Sequence, residues 1–202
     1  MHETSHVSIR RLAGSQVQRH LDDVARLRIA VFREWPYLYA GDMGYERDYL
    51  AAYAASPGSL FVLAFDAGRV VGASTGLPLV DDGPAFRAPF EARGPDPAQV
   101  FYFGESVLLP LYRGQGIGRA FFDHREAHAR QLGHAWTAFA AVERDAADPR
   151  RPVGHRGHER LWSGRGYTRR PELRMQLDWA EPGVGECSHA LVFWTRPLEA
   201  AT

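Results

Sequence analysis

The sequence predicts a single domain over residues 1–202, with a mixed α/β fold in which about seven strands are flanked by helices. Two observations lead to this prediction. Short runs of β-branched and aromatic residues, typical of strands, alternate with longer runs whose apolar residues recur every three or four positions, typical of helices. The length favours one domain, and no internal repeat, low-complexity tract or linker divides the chain.

The element boundaries follow from the breaks in these patterns. Ser15 is the expected N-cap of the first helix, and Pro36 ends that helix. Residues 81–98 are rich in proline, glycine and charge, and are expected to form a long loop that could hold a short helix at Phe90. In chain order the expected elements are a strand over 7–12, helices over 16–33 and 45–55, strands over 60–65, 70–79 and 101–109, a helix from 117, a strand over 135–142, a helix over 159–164, and strands over 173–179 and 190–195.

Composition excludes several classes of function. The 24 basic and 24 acidic residues give a formal net charge of zero, which gives no support for nucleic-acid binding. No apolar run approaches the ~20 residues of a membrane helix, and the N-terminus lacks the apolar core of a signal peptide. One cysteine, Cys187, excludes an intrachain disulfide and suits a reducing compartment. We therefore expect a cytoplasmic protein that interacts with neither nucleic acid nor membrane.

Residues 101–120, FYFGESVLLPLYRGQGIGRA, predict a strand, a glycine loop and the start of a helix. Pro110 closes the strand-like run, the loop RGQGIG follows, and Ile117 and Phe121 begin a helical pattern. The N–H groups of the first helical turn lack helical partners, and glycines let a ligand come close to them. This arrangement predicts a phosphate site, with positive charge from Arg113 and Arg119 beside it.

The glycine spacing distinguishes between kinds of phosphate site. The dinucleotide pattern G-x-G-x-x-G fails because its last glycine would be Arg119 or Phe121, and no Gly-Lys-Ser/Thr follows for a P-loop. What fits is R-x-x-G-x-G at Arg113, Gly116 and Gly118, after a strand that ends in V-L-L-P. This resembles the pyrophosphate loop of the GNAT superfamily of N-acetyltransferases. The alternative is a purely structural glycine turn.

The resemblance implies a fold, a cofactor and a set of binding residues. The predicted element order is similar to that of the family over nearly the whole chain, and Leu161-Trp162 before Gly166-Tyr167 resembles the family's Leu-Tyr … Gly-Phe ending of the last helix. It implies a mixed, mostly antiparallel sheet, acetyl-CoA as co-substrate and no metal. The residues implied for pyrophosphate are Arg113, Gly114, Gln115, Gly116, Ile117, Gly118 and Arg119. Those implied for the pantetheine arm are Val107, Leu108 and Leu109, where a backbone N–H could also polarise the thioester carbonyl.

Glu105 is the candidate catalytic residue. Strand alternation would place it on one face with Phe101, Phe103, Val107 and Leu109. A carboxylate among apolar neighbours is costly unless it is paired or protonated, and burial makes it a better proton acceptor. Glutamate eight residues before the loop arginine is common in GNAT enzymes, where it is a general base or contacts the acceptor. The alternative is a structural glutamate paired with an arginine.

The general acid departs from the family pattern. Trp162 stands where family members often have a tyrosine near the coenzyme sulfur, and His155 stands where they have an asparagine. Three interpretations remain open. The enzyme manages without an acid because a thiol of pKa ~8.5 leaves tolerably as thiolate. Alternatively, His155, His158 or a tyrosine supplies the proton, or the chemistry is lost.

The segment between the first two helices is dense in tyrosine and acid. In the family this region is variable and lines the acceptor pocket, and aromatic rings with carboxylates suit a cationic or aromatic amine. The alternative is that the tyrosines belong to the core and the acids are solvated. The implied acceptor-binding residues are Tyr37, Tyr39, Asp42, Tyr45 and Glu46.

Two other patterns carry less weight. His124 and His128 have the i, i+4 spacing that can bind zinc, but the segment reads H-R-E-A-H and no third ligand is evident, so no metal is expected. Cys187 lacks an activating partner in the sequence and is interpreted as a bystander.

The sequence therefore predicts an N-acetyltransferase that moves the acetyl group of acetyl-CoA to a small-molecule or peptide amine by direct attack in a ternary complex. A non-catalytic module of the same fold that binds or senses acyl-CoA is the alternative, favoured by Trp162 and His155. The apolar run 192–194 could form an edge that pairs with a second copy in a homodimer.

Overall fold

The computed structural model describes residues 7–199, in which strands form one mixed sheet. The order across the sheet is β1-β2-β3-β4-β6-β8-β7, with β5 also paired to β3. Within the described residues the one parallel pairing joins β4 to β6, and the others are antiparallel. The elements are β1 (Ser8–Leu12), α1 (Leu21–Phe32), α2 (Met43–Ala55), β2 (Leu60–Asp66), β3 (Arg69–Pro78), α3 (Pro84–Arg93), β4 (Val100–Tyr102), β5 (Ser106–Leu108), α4 (Ile117–Gln131), β6 (Trp136–Val142), α5 (Glu159–Gly164), β7 (Thr168–Glu181) and β8 (Gly185–Pro197).

Helices cover both faces of the sheet. In β2, alternate side chains point to opposite faces and pack against the helices there. Phe61, Leu63 and Phe65 pack with α1 and α2. Leu60 and Val62 point the other way and pack with α4. Because both faces of the central strands are buried, those strands are continuously apolar. None of the helices in residues 7–199 combines the length and apolar character that a bilayer crossing requires.

Several local expectations were wrong. A 3₁₀ turn spans Gly14–His20 ahead of α1, so Ser15 lies inside this turn and is not an N-cap. Residues 81–98 are not mainly loop, because α3 occupies ten of them with Pro84 in its first turn. Proline is well tolerated there, since its missing N–H would have no helical partner.

The run 192–194 is not an exposed edge. It lies in the middle of β8, between β6 and β7, and Val192, Phe193 and Trp194 are all buried. The outermost strands of the sheet are β1 and β7, and β5 is paired on one side only, to β3. The expected dimer edge is therefore wrong, because the hairpin of β7 and β8 buries this segment inside the sheet.

Candidate active site

The strand expected over 101–109 is broken in the middle. Between the pairs Leu77–Tyr102 and Ser74–Ser106, β3 has two residues and the opposing chain has three, which defines a β-bulge. At the bulge Thr75 faces two residues, because its C=O accepts from the Gly104 N–H and its N–H donates to the Glu105 C=O, both at 3.2 Å.

The bulge reverses the faces of the side chains that follow it. Phe101 and Phe103 pack on the α4 side, as alternation predicts. Glu105 and Val107 instead face α1 and α2. The prediction that all of these residues share one face is therefore wrong. The extra residue turns the Glu105 carboxylate towards the segment expected to bind the acceptor.

Gly104 is required by the close approach of two side chains. A Cβ at this position would lie 2.7 Å from Thr75 Oγ1 and 2.9 Å from the ring and hydroxyl of Tyr53. Tyr53 is buried and its hydroxyl donates to Asp82 at 3.0 Å, so it cannot move aside freely.

Replacing Gly104 by alanine is expected to destabilise the protein by about 1–3 kcal/mol, because the added methyl overpacks the bulge. Gly164→Ala in α5 is the matched control, since its Cβ would meet nothing within 4 Å. That control is expected to be neutral or slightly stabilising, by up to ~1 kcal/mol. Urea unfolding of both variants checks the difference. Equal stabilities would show that the bulge tolerates a side chain.

Beyond the bulge the strand diverges from β6. The last contact is the Phe103 N–H, which donates to the Ala138 C=O at 2.8 Å, and β5 then pairs with β3. The Leu109 N–H donates to the Val71 C=O at 3.0 Å, so by alternation the backbone groups of Leu108 point to the open side. Within the expected pantetheine segment, Leu108 is thus the residue that presents its N–H and C=O to the gap, while those of Val107 and Leu109 face β3.

The glycine loop is exposed and leads directly into α4. Gly114 and Gly116 have φ of +79° and +85°, values that favour glycine, and Gly116 is the N-cap of the helix. The Arg119 and Ala120 N–H groups donate to the Gly116 C=O, at 3.0 and 3.1 Å. The N–H groups of Ile117 and Gly118 are earlier in the first turn, where no helical carbonyl can reach them. Donors and positive helix end together suit a phosphate.

Arg113 anchors this loop through two contacts with residues outside it. Its Nε donates to the Leu108 C=O at 3.1 Å, and its Nη2 forms an ion pair with Glu34 at 2.9 Å. The arginine that was expected at the pyrophosphate therefore also ties the loop to the diverging strand and to the chain after α1.

Glu105 is buried and paired with an arginine. Arg28, on α1, places Nη1 2.5 Å from Glu105 Oε2, and its Nε pairs with the buried Glu46 of α2. The Tyr49 hydroxyl donates to Glu105 Oε2 at 3.4 Å, and the Tyr49 ring lies under the guanidinium. The sequence analysis gave a glutamate paired with an arginine as the alternative for Glu105, and this pair is present. The pair uses Oε2 of the carboxylate and does not use Oε1.

The remaining oxygens define what this cluster can accept. Glu105 Oε1 and Glu46 Oε1 are buried and have no hydrogen-bond partner within residues 7–199. Burial opposes the charge on Arg28, but the Glu105 and Glu46 carboxylates outweigh it and raise the Arg28 pKa above its usual value. Arg28 is therefore a cation at neutral pH, and each carboxylate keeps one oxygen for which residues 7–199 supply no hydrogen-bond donor.

Arg28→Met is expected to cost about 3–5 kcal/mol of stability, because it leaves two buried carboxylates without their cation. Arg47→Met is the control, since Arg47 pairs with Asp22 at the surface and both side chains are about half exposed. The control should unfold like the parent. Thermal and denaturant unfolding check both variants. Equal losses of stability in the two variants would show that the buried cluster contributes no more than a surface ion pair.

The segment before α2 is held by its main chain. Arg144 Nη2 donates to the Tyr37 C=O at 2.6 Å, and the Trp179 indole donates to the same oxygen at 3.0 Å. Burial raises the pKa of Tyr37 to about 12, so its hydroxyl keeps its proton at neutral pH. Tyr39 is half-buried, and burial followed by the nearby Glu46 charge raises its pKa. The two hydroxyls are thus neutral groups, with Tyr39 near the Glu46 carboxylate and Tyr37 near the Arg28 and Glu105 charges.

The other residues of this segment differ from expectation. Asp42 caps α2, because its Oδ1 accepts from the Tyr45 N–H at 2.9 Å. Tyr45 is 61% exposed and does not share the buried face of Tyr49 and Tyr53. Glu46 is not solvated but fully buried. The structure therefore gathers Glu46 with Glu105 and leaves Tyr45 at the surface.

The candidate acids lie near α5. The Trp162 ring packs 5.0 Å from Phe139 and 5.2 Å from Trp194, as part of the core beneath the sheet. His158 lies against Trp162 with ring centroids 5.9 Å apart, and His155 lies 6.2 Å from the Trp35 ring. Trp162 is thus a packing residue.

The histidine pair and the cysteine make local contacts. His128 uses both ring nitrogens, one with Arg11 at 3.2 Å and one with the Gly58 C=O at 3.0 Å. In the described part of the chain, no three His, Cys, Asp or Glu side chains are grouped so that they could hold a metal. The Cys187 thiol contacts the Gly185 C=O in the hairpin of β7 and β8.

Arg125 is a buried residue that the sequence analysis missed. The expected pattern began with Ile117 and Phe121, and the buried face of α4 also carries Arg125 and Glu126. The signal was present, because Ile117, Phe121 and Arg125 continue one i, i+4 series. Arginine was passed over as a surface residue, which is its usual place.

Comparison with known proteins defines the class. Residues 24–151 match the acetyltransferase (GNAT) family, and this match spans more than half of the chain. The chain belongs to the GNAT family of acetyltransferases. Among curated proteins, none has a sequence that matches it.

Solved structures share the fold over nearly the whole length. The yncA protein of Salmonella typhimurium, solved with its cofactor acetyl-CoA, has a TM-score of 0.60 and 16% identity, covering 98% of this chain and 97% of its own. A GCN5-related N-acetyltransferase from Kribbella flavida has a TM-score of 0.56 and 20% identity, covering 95% and 98%. The ribosomal-protein-S18-alanine N-acetyltransferase of Escherichia coli has a TM-score of 0.57 and 12% identity, covering 98% and 97%.

Proposed function

We propose that this protein transfers the acetyl group of acetyl-CoA to an amine. The observation that carries the proposal is the open edge of β5 beside the exposed glycine loop at the start of α4. An extended arm with a pyrophosphate at its end fits such a pair of neighbouring sites. The loop residues 113–119 would hold the pyrophosphate, and the segment 107–109, mainly through the Leu108 backbone, would hold the pantetheine arm.

The reaction would be a direct attack in a ternary complex. The amine nitrogen bonds to the thioester carbonyl carbon, and the C–S bond breaks with its electron pair leaving on sulfur. The Leu108 N–H, directed to the open side, would polarise the carbonyl oxygen. Because a thiolate leaves tolerably, the proposal needs no side chain at the Trp162 position that donates a proton.

Glu105 would accept a proton from the bound ammonium, which frees the nitrogen lone pair for attack, and the second proton lost by the nitrogen would pass to the leaving thiolate or to solvent. Its Oε2 is held by Arg28 at 2.5 Å, which orients the carboxylate, while Oε1 has no partner within residues 7–199. A fixed carboxylate with one free oxygen suits a general base. Tyr37, Tyr39 and Glu46 would contribute to the acceptor pocket, where the neutral hydroxyls and a carboxylate favour a cationic amine.

The test is an acetylation assay with a panel of amines. The panel includes alkylamines, polyamines, amino acids and peptides with a free N-terminus, and thiol release is followed together with the acetyl mass gain on the acceptor. The proposal predicts acceptor-dependent thiol release with at least one class. Tight acetyl-CoA binding with no transfer to any class would instead support the acyl-CoA-binding module.

A further inference from the structure

The middle of α4 carries a buried arginine directly beneath the bulge. Arg125 is 1% exposed, and its guanidinium stacks on the rings of Phe103 and Phe122, at 4.2 and 5.1 Å from their centroids. Burial lowers its pKa to about 10, so it is still a cation at neutral pH. An arginine in this setting is costly unless its donors are used.

The guanidinium N–H groups of Arg125 donate hydrogen bonds mainly to the bulge. Its Nη1 donates to the Thr75 C=O at 3.2 Å and to the Glu105 C=O at 3.0 Å. These two carbonyls are the same ones that accept the two backbone hydrogen bonds closing the bulge. Its Nη2 donates to Ser106 Oγ at 2.8 Å, and its Nε donates to the Phe121 C=O at 3.2 Å.

The choice of partners is unusual for a buried cation. Among the ion pairs of residues 7–199, Arg125 has none, although Arg165 and Arg196 both pair with its neighbour Glu126. Its hydrogen-bond partners are neutral oxygens, and three of them belong to Thr75, Glu105 and Ser106. A guanidinium can reach several such oxygens at once because its donors form a rigid planar fork.

We propose that Arg125 is a positioning residue for acyl transfer, which fixes the bulge so that the Glu105 carboxylate faces the acceptor. The inference rests on the proposed function of Glu105. Without the guanidinium, the extra residue at the bulge could be absorbed elsewhere, and alternation would then turn Glu105 away from Arg28. Arg125 itself lies on the α4 side of the sheet and touches no reacting atom.

The test compares Arg125→Lys with Arg165→Lys. Arg165 is the matched control, because its guanidinium lies 5.2 Å from the same Phe122 ring and its ion pairs go to Asp123 and Glu126 instead of the bulge. Both variants keep the positive charge and lose the planar fork. Turnover, acetyl-CoA affinity and amide hydrogen exchange of peptides covering residues 100–110 are measured at a temperature where both variants are folded.

We expect Arg125→Lys to lower kcat by about tenfold or more, with the acetyl-CoA Kd within about threefold of the parent, because a misplacement near 1 Å has effects of this size. Exchange in residues 100–110 should rise in this variant alone. In an Arg125→Ala variant, millimolar guanidinium, but not urea, should restore part of the turnover. A kcat loss equal to that of Arg165→Lys, or unchanged exchange at the bulge, would overturn the proposal.

Ser106→Ala keeps the inference testable if the Arg125 variants do not fold. It removes one acceptor of the guanidinium and should lower kcat by about two- to fivefold with little change in Tm, an effect of losing one hydrogen bond. Unchanged kcat in that variant would count against the proposal. The exchange measurement separates this inference from the function: protection that depends on Arg125, in a protein that acetylates no amine, would support the bulge contact and refute the acetyl transfer.

Discussion

Glu105→Gln is expected to lower kcat by about 100-fold or more, the size of effect seen when a general base is removed. The amide keeps the shape of the carboxylate and a hydrogen bond to Arg28, but it cannot take a proton from the amine. The acetyl-CoA Kd should stay within about threefold of the parent, because the loop at 113–119 is untouched. Single-turnover kinetics and titration with acetyl-CoA measure the two quantities separately.

Glu46→Gln is the comparison that isolates the role of Glu105. It removes the same charge from the same arginine, since Arg28 holds both carboxylates. This change should act mainly on the KM of the acceptor, because we place Glu46 in the acceptor pocket. Equal kcat losses in the two variants would show that the charge of the cluster matters and that Glu105 has no separate role as base.

Gly116→Val is expected to weaken acetyl-CoA binding by about 30-fold or more. Gly116 has φ of +85° and is the N-cap of α4, directly before the N–H groups of the first helical turn. The left-handed conformation costs a non-glycine residue about 1–2 kcal/mol, which acts on stability. The loss of affinity comes from the side chain beside the expected phosphate site, where every 1.4 kcal/mol lost from binding is tenfold in Kd. Isothermal titration gives the change directly.

Gly133→Val separates strain from ligand contact. Gly133 has φ of +80° and follows the other end of the same helix, so the backbone cost is similar. The 15 residues of α4 put it ~22 Å from Gly116. The control should lose stability but bind acetyl-CoA like the parent. Retained affinity in Gly116→Val would refute the phosphate-loop assignment.

The sequence predicted most of the order of elements, because the spacing of apolar residues and the residues that end helices and strands depend only on near neighbours. Gly116 before the apolar series of α4, and the hairpin turn at 66–69, each follow from a few neighbouring residues. Helix α3 was expected only as a short helix at Phe90, because its two prolines and its charge made the rest of the segment look like loop. Local composition therefore predicts an element well only when its residues are typical of that element.

The site was harder because it depends on contacts between distant parts of the chain. Nothing near Glu105 in sequence shows that Arg28 will pair with it, or that one extra residue will reverse its face. Strand alternation predicted the wrong face because a bulge leaves no mark beyond a single glycine, Gly104. Arg125 was missed because burial of arginine depends on partners in β3 and β5 that only the folded chain brings together.

Calorimetric titration with acetyl-CoA, with NAD and ATP as controls, tests the central claim most directly. We predict one site per chain with a micromolar Kd for acetyl-CoA, which is in the range usual for enzyme substrates, and no binding of NAD or ATP at the same concentrations. Absence of acetyl-CoA binding by the folded protein would contradict the account, and the glycine loop would then be interpreted as a structural turn.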